Sequence, residues 1–226
     1  MGYTTEFFGT FKLSRQGAPA QLNDNQFIYL NAFADIRHMI RHEPMTEKRA
    51  DWRRAAVELP VGDDGMFFVG SKDTAQFGQE GLFGGGGSKQ DAESLGIIST
   101  NHSGLNCPGL WCQWVPTKDG TGIAWNGAEK FYQYEGWLAF LCKYFLTPWG
   151  YELSGIVEWR GESQGDDGEL DGAHIQKNAT SILEDSLRHK YNVEEIIDLK
   201  AKFYAEHADD DDQVALPGGG QKALGG

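Results

Sequence analysis

No apolar run in the chain approaches the ~18 residues of a membrane span, and no charged-then-apolar leader opens it, so neither a span nor a secretory signal is expected. Cysteine is scarce: three residues, an odd number beside no export signal, which reads as reduced thiols in a cytoplasm. Basic charge is also short. Lys and Arg total 20 against 33 Asp and Glu, leaving a net charge of −13. Phosphate neutralisation needs a basic surplus on at least one face, so strong general affinity for DNA or RNA is not expected. A membrane partner is not expected either. The motif inventory is equally thin. The sequence holds no Gly-x-Ser-x-Gly elbow, no Cys-x-x-Cys knuckle, and no Gly-Lys-Ser/Thr ending after its run Gly84 to Gly87. A nucleophile elbow, a zinc knuckle and a phosphate loop are thereby set aside, and no cofactor is expected.

What is present is core-forming material. The 226 residues are 40% hydrophobic and include seven Trp, eight Tyr and thirteen Phe, enough for one large domain and too many for wholesale disorder. Six of the seven tryptophans fall between residues 107 and 180, so the core is expected to centre there. The expected organisation is one domain over 1–180 interrupted by a flexible Gly-rich loop at about 70–106. A helical appendage over 181–207 and a solvated acidic, Gly-rich tail over 208–226 follow.

Local patterns fill in the domain. Phe7, Gly9, Phe11 and Leu13 recur at period two and predict a strand. Asn23 with Gln26 has the form of a capping box opening a helix from about 24 to 41. Two hairpins are expected, one turning at Asp63-Asp64-Gly65 and one, over 110–125, at Lys118-Asp119-Gly120. Asn126 with Glu129 resembles a helix start. Tyr134, Trp137, Leu138, Leu141 and Phe145 then form one apolar stripe, ended by Pro148 and Gly150. Tyr151 to Arg160 alternates as a half-buried strand; Asp167-Gly168 is expected to turn, with a last strand over 170–177. Ser181 and Asn192 each head a short helical pattern, and the two helices are expected to dock on the sheet or to bind a partner. The fold class predicted is α+β. A mainly antiparallel sheet carries helices on one face, in an order similar to ferredoxin-like domains, and C-terminal helices follow.

Several short motifs occur together. They are Met1-Gly2-Tyr3-Thr4-Thr5, Leu59-Pro60-Val61-Gly62 with Phe68-Val69-Gly70, and Pro108 to Pro116 with its core Leu110-Trp111-Cys112-Gln113-Trp114. Glu129-Lys130-Phe131-Tyr132, Pro148-Trp149-Gly150-Tyr151 and Gly155-x-Val157-x-Trp159-x-Gly161-Glu162 complete the set. In these motifs the chain resembles a family of uncharacterised bacterial and bacteriophage proteins, over about residues 1–178. The resemblance implies lineage and fold and no assigned activity. Where that family usually has Gln-Pro-Gly, this chain has Cys107-Pro108-Gly109, so the resemblance implies no role for Cys107.

Candidate chemistry is sparse. His102, Cys107 and Cys112 have ligand chemistry, but their spacing lacks a knuckle, and buried thiols are the simpler reading; no metal is expected. Glu152, Glu158 and Glu162 lie on one strand face at gaps too long for paired acid–base work, absent a cross-strand partner. Asp166, Asp167, Glu169 and Asp171 read as turn chemistry. Residues 37–54 run against the global charge: Arg37, Arg41, Lys48, Arg49, Arg53 and Arg54 oppose three acids, with Trp52 among them. Guanidinium forks suit phosphate, although internal balance against the acidic remainder also accounts for the segment. The residues carried forward as candidate binding positions are Arg37, Arg41, Arg49, Trp52, Arg53, Glu129 and Glu158, with no catalytic residue assigned. The leading expectation is a cytoplasmic accessory protein of bacterial or phage origin that binds another protein, in one version as an inhibitor of a host system. An enzyme with an unfamiliar site in an aromatic-lined pocket, and a nucleic-acid module using the 37–54 segment, are the alternatives.

Overall fold

The computed structural model describes residues 3–42, 52–60, 62–69, 96–190 and 193–208. Among these the elements are β1 Thr5–Phe8, β2 Phe11–Arg15, β3 Ala18–Pro19, helix α1 Asp24–Asp35, β4 Met39–Arg41 and helix α2 Trp52–Ala56. After a 3-10 turn at Asp63–Gly65 come β5 Ile97–Ser103, β6 Trp114–Pro116 and β7 Gly122–Trp125. Helix α3 Tyr134–Leu141 runs into a π-helical turn, Cys142–Leu146. It precedes β8 Glu152–Ser154, β9 Ile156–Gly161, β10 Asp167–Asp171, α4 Gly172–Lys177, α5 Ala179–Arg188 and α6 Val193–Glu206. The fold is α+β with antiparallel pairing throughout the described sheets.

The strands divide among three small sheets instead of forming one. The first has the order β1-β9-β10; in the second β2 pairs β3, β7 and β8 while β7 pairs β6; the third is the pair β4-β5. The described residues therefore do not form the single sheet of a ferredoxin-like domain. The division follows from two glycines that break period-two runs. Gly9, at φ 115°, ends β1 after Phe8 and lets β2 leave for another sheet, so the expected single opening strand becomes two. Gly155, at φ 101°, does the same between β8 and β9. Neither conformation suits a residue with a Cβ.

Other expectations are corrected by local chemistry. The capping box at Asn23 and Gln26 is formed in both directions. The helix stops at Asp35, however, because Ile36 is extended and the chain turns into β4. Asp63-Asp64-Gly65 makes a 3-10 turn with no described strand pair beside it, and Asp64 itself is left-handed at φ 55°. The 110–125 hairpin exists, trimmed to β6 and β7, with Trp114 opposite Trp125. Asn126 starts no helix: a loop runs to Gln133, whose left-handed backbone caps α3. Asp167-Gly168 lies in β10, and Gly165 at φ 81° takes the turn. Residues 172–177 are helical because the Asp171 carboxylate accepts from the amides of Ala173 and His174, a cap worth about 1 kcal/mol. The expected Gly-rich loop at 70–106 holds β5 at its end, while 70–95 lies outside the described residues, as does the expected tail from 209 onward.

Residues 1–191 form one compact unit and 192–226 a second. Helix α5, expected in the appendage, belongs to the first, because Gly136 on α3 leaves room for it: a Cβ there would lie 2.2 Å from Ser186 Oγ. The core of the first unit is aromatic. Trp114, Trp137, Tyr29, Phe11, Phe33, Phe140 and Phe145 are fully buried. Trp114 meets Phe7 edge-on at 5.1 Å, and Phe33 stacks on Phe140 at 5.7 Å. The apolar stripe of α3 faces this cluster. In the second unit, the described element is α6, where Phe203 stacks on His207 at 4.1 Å.

Candidate functional site

The outer face of the β1-β9-β10 sheet collects exposed side chains by strand alternation. Glu6 and Phe8 come from β1, Ile156, Glu158 and Arg160 from β9, and Asp167, Glu169 and Asp171 from β10. Inward, Phe7, Val157 and Leu170 join the core. The register sorts the face into rows. Glu6, Arg160 and Asp167 form one, so the single guanidinium is flanked by a carboxylate on each side. Phe8, Glu158 and Glu169 form the next, and Ile156 and Asp171 the third.

The middle row is where the face is unbalanced. Gly161 and Gly172 donate their amides to the carbonyls of Asp166 and Gly155, which fixes the odd residues of β9 as the hydrogen-bonded partners of β10. Glu158 and Glu169 therefore oppose each other at a non-hydrogen-bonded position, with Cα atoms about 4.5 Å apart and side chains at their closest. Like charges so placed disfavour the pairing. A groove of about 140 Å³ lies across this row, lined by Phe8, Glu158, Trp159, Arg160, Gly168 and Glu169. Phe8 is 47% and Ile156 48% exposed beside it. The Arg160 guanidinium lies 5.7 Å over the Phe8 ring, and around it the face offers an excess of carboxylate acceptors and two part-exposed apolar side chains, which suits a ligand that is cationic and partly apolar.

Of the described positions proposed from sequence, Glu158 alone lies here. The cross-strand partner of Glu158 is Glu169, a residue whose sequence surroundings read as a turn. Glu152 sits on β8 in a different sheet, and Glu162 accepts from the amide of Thr4. Glu129 is exposed in the loop before α3, where its carbonyl accepts from Gln113, and it does not line the groove with Glu158.

The described basic residues of the 37–54 segment have separate surroundings. Arg41 is buried with its guanidinium 4.2 Å over the Phe68 ring, and burial lowers its pKa to about 10. Arg37 is half-buried over Trp111, at 5.9 Å, with its pKa also lowered by burial. Arg53 is half-buried on α2, where its charge acts on Asp35. Arg49, Lys48 and the side chain of Trp52 lie outside the described residues. Arg41 and its ring contact are spent on the core, so a phosphate ligand finds fewer forks than the sequence suggests.

Three further groupings bear on chemistry. Cys107, Cys112 and Cys142 are free and buried, and burial pushes each thiol up to about 12, which keeps them protonated. His102 is hydrogen-bonded to Ser99. No group of three or more potential metal ligands occurs among the described residues. Lys190, unnoticed in the sequence, donates to the carbonyls of Ser103, at 2.9 Å, Gly104, and Cys107, at 3.1 Å. Burial lowers its pKa to about 8, while Cys107 and Asp64 act the other way. All three ammonium protons are engaged, so this lysine ties the end of α5 to the 103–107 loop instead of serving as a nucleophile.

A larger cleft, about 570 Å³, opens between the start of α3 and α5. Gln133, Tyr134, Ile182, Asp185, Ser186 and His189 are among the residues that line it, so one aromatic and one aliphatic side chain stand among polar groups. His189 Nδ1 faces the Asp185 carbonyl at 2.9 Å, and Ser186 donates its proton to Gln133 Oε1 at 2.8 Å. That proton is directed away from an imidazole base, so no nucleophile–base pair is assembled there.

Comparison with protein-family models, with curated proteins and with solved structures yields no match to this chain. No helix among the described residues is long and apolar enough to cross a membrane.

Proposed function

We propose that this chain is a non-enzymatic binding protein that docks a basic protein surface on the outer face of the β1-β9-β10 sheet. The observation that carries the reading is the directly opposed Glu158–Glu169 pair, two carboxylates to the one guanidinium of Arg160 in the same groove, with exposed Phe8 in its row and Ile156 in the next. A directly opposed like-charge pair costs the free protein stability, and a lysine or arginine from a partner removes that cost on docking. The apolar side chains supply the desolvated contact that electrostatics alone does not.

The net charge of −13 supports the same direction, steering a basic partner toward the face and away from polyanions. A target that itself binds nucleic acid has such a basic surface, which is the form an inhibitor of a host system would take. Three buried reduced thiols fit a cytoplasmic setting, and the bacterial or phage origin is what the sequence resemblance implies.

The test is affinity capture from bacterial lysate with wild-type chain and with the triple variant Phe8→Ser, Glu158→Gln, Glu169→Gln. The expected result is a basic protein retained by wild type, released as salt rises, and lost with the variant. Equal capture by both chains, or capture of acidic proteins alone, refutes the reading.

A further inference from the structure

The edge of the same sheet narrows the kind of partner, and the following rests on that reading of the face. Because residues 155, 157, 159 and 161 of the β9 side pair with 172, 170, 168 and 166, the backbone groups of Asp167 and Glu169 point away from β9. In the strand order β1-β9-β10, β10 is an edge among the described residues. Among the described residues, no backbone hydrogen bond outside the ladder reaches Asp167 or Glu169. Edge strands of this kind template pairing with another chain unless they are covered or charged.

The charge on this edge is itself ordered. Asp167, Glu169 and Asp171 stand at every second residue, about 7 Å apart along the strand, all on the outer face. Asp171 is already engaged in capping α4, which leaves Asp167 and Glu169 as the pair a partner can meet. A strand laid against β10 places its own residues opposite these two as hydrogen-bonded pairs. In such pairs both side chains point to one face of the sheet. A lysine or arginine opposite Glu169 would therefore project over the groove between Glu169 and Glu158, and one opposite Asp167 would lie beside it.

We infer that the partner is an extended segment with lysine or arginine at alternate positions that adds to β10 as a fourth strand. Its backbone completes the edge, and its cationic side chains meet the carboxylates of the outer face. Ile156 lies farther in, on β9, and Phe8 beyond it on β1, where an apolar side chain from the partner's body reaches them. Recognition of this kind draws affinity from main-chain hydrogen bonds and specificity from alternate side chains.

The experiment uses the full chain and a fluorescein-labelled peptide, Lys-Thr-Lys-Val-Lys-Thr-Lys, followed by anisotropy at two salt concentrations. A composition-matched peptide with its lysines contiguous tests the spacing. Methyl groups on the backbone nitrogens of the lysines block the edge bonds; methyl groups on those of Thr and Val, which face away from β10, serve as the control. On the protein side, Glu169→Gln and Glu169→Pro both remove the carboxylate, but only proline removes the amide that faces outward, leaving the β9 ladder intact. Loss of one main-chain bond weakens binding about fivefold, so Glu169→Pro is expected to bind that much more weakly than Glu169→Gln. The lysine-methylated peptide is expected to fail with wild-type protein, a readout independent of whether the proline variant folds. Equal binding by methylated and unmethylated peptides overturns the strand addition and leaves docking on the face standing. No binding of the alternating peptide, while the captured basic partner still depends on Glu158 and Glu169, does the same. Binding unaffected by Glu158→Gln and Glu169→Gln together overturns both.

Discussion

Lowering the pH should loosen this protein through one residue, His38. Its ring is buried between Phe33, at 4.2 Å, and Trp137, at 4.9 Å. One ring nitrogen bonds the Phe33 backbone, and Nε2 has no hydrogen-bond partner among the described residues. Burial, with the nearby Arg41 charge in the same direction, lowers its pKa from 6.5 to about 3. Between these values the unfolded chain binds a proton that the folded chain refuses. Stability from neutral His38 is therefore complete above pH ~6.5 and is lost as pH falls toward 3, by about 1.4 kcal/mol per unit. At pH 4.5 the loss is about 3 kcal/mol, a large part of a typical domain's 5–15 kcal/mol. His38→Leu, similar in volume and without a proton site, should flatten that part of the profile. Urea melts of both chains at pH 7.0, 6.0, 5.0 and 4.5 measure the difference. Parallel profiles for the two would refute the reasoning, since the acid response would then belong to other groups.

Trp137→Ala removes a fully buried indole from the centre of the aromatic cluster and should cost about 3–5 kcal/mol by chemical denaturation. Gly136→Ala should cost about 1–3 kcal/mol by pushing α3 from α5, and adding Ser186→Gly should recover much of the loss in a double-mutant cycle, because Ser186 is what the new Cβ meets. Lys190→Met leaves three carbonyls without their donor and should destabilise by about 2–4 kcal/mol, read as faster amide exchange around residues 103–107.

The fold class, the capping box at Asn23, the apolar stripe of α3 and the core residues Phe7, Phe11, Leu13 and Trp137 were legible in the sequence. Each rests on groups close along the chain: a cap joins residues three apart, and strand or helix periodicity is a property of one segment. The sheet divisions were not legible, because Gly9 and Gly155 read as ordinary members of alternating runs until the pairing partners are known. Arg41 looked available for an anion, and only its packing on Phe68 shows that it is spent on the core. The candidate face shows the difference most plainly. Asp167-Gly168-Glu169-Leu170-Asp171 alternates at period two, yet its Asp-Gly pair carries a turn signal of equal strength. What turned the choice was the pairing of β10 with β9, ten or so residues away. That register, set by burying Val157 and Leu170 on one face, puts Glu169 opposite Glu158 on the other. Residue type and local period determined what each segment could be. Which carboxylates meet, which arginine is buried and which described strand lies at a sheet edge were decided by contacts between segments, where burial of the shared apolar face outweighs local preference.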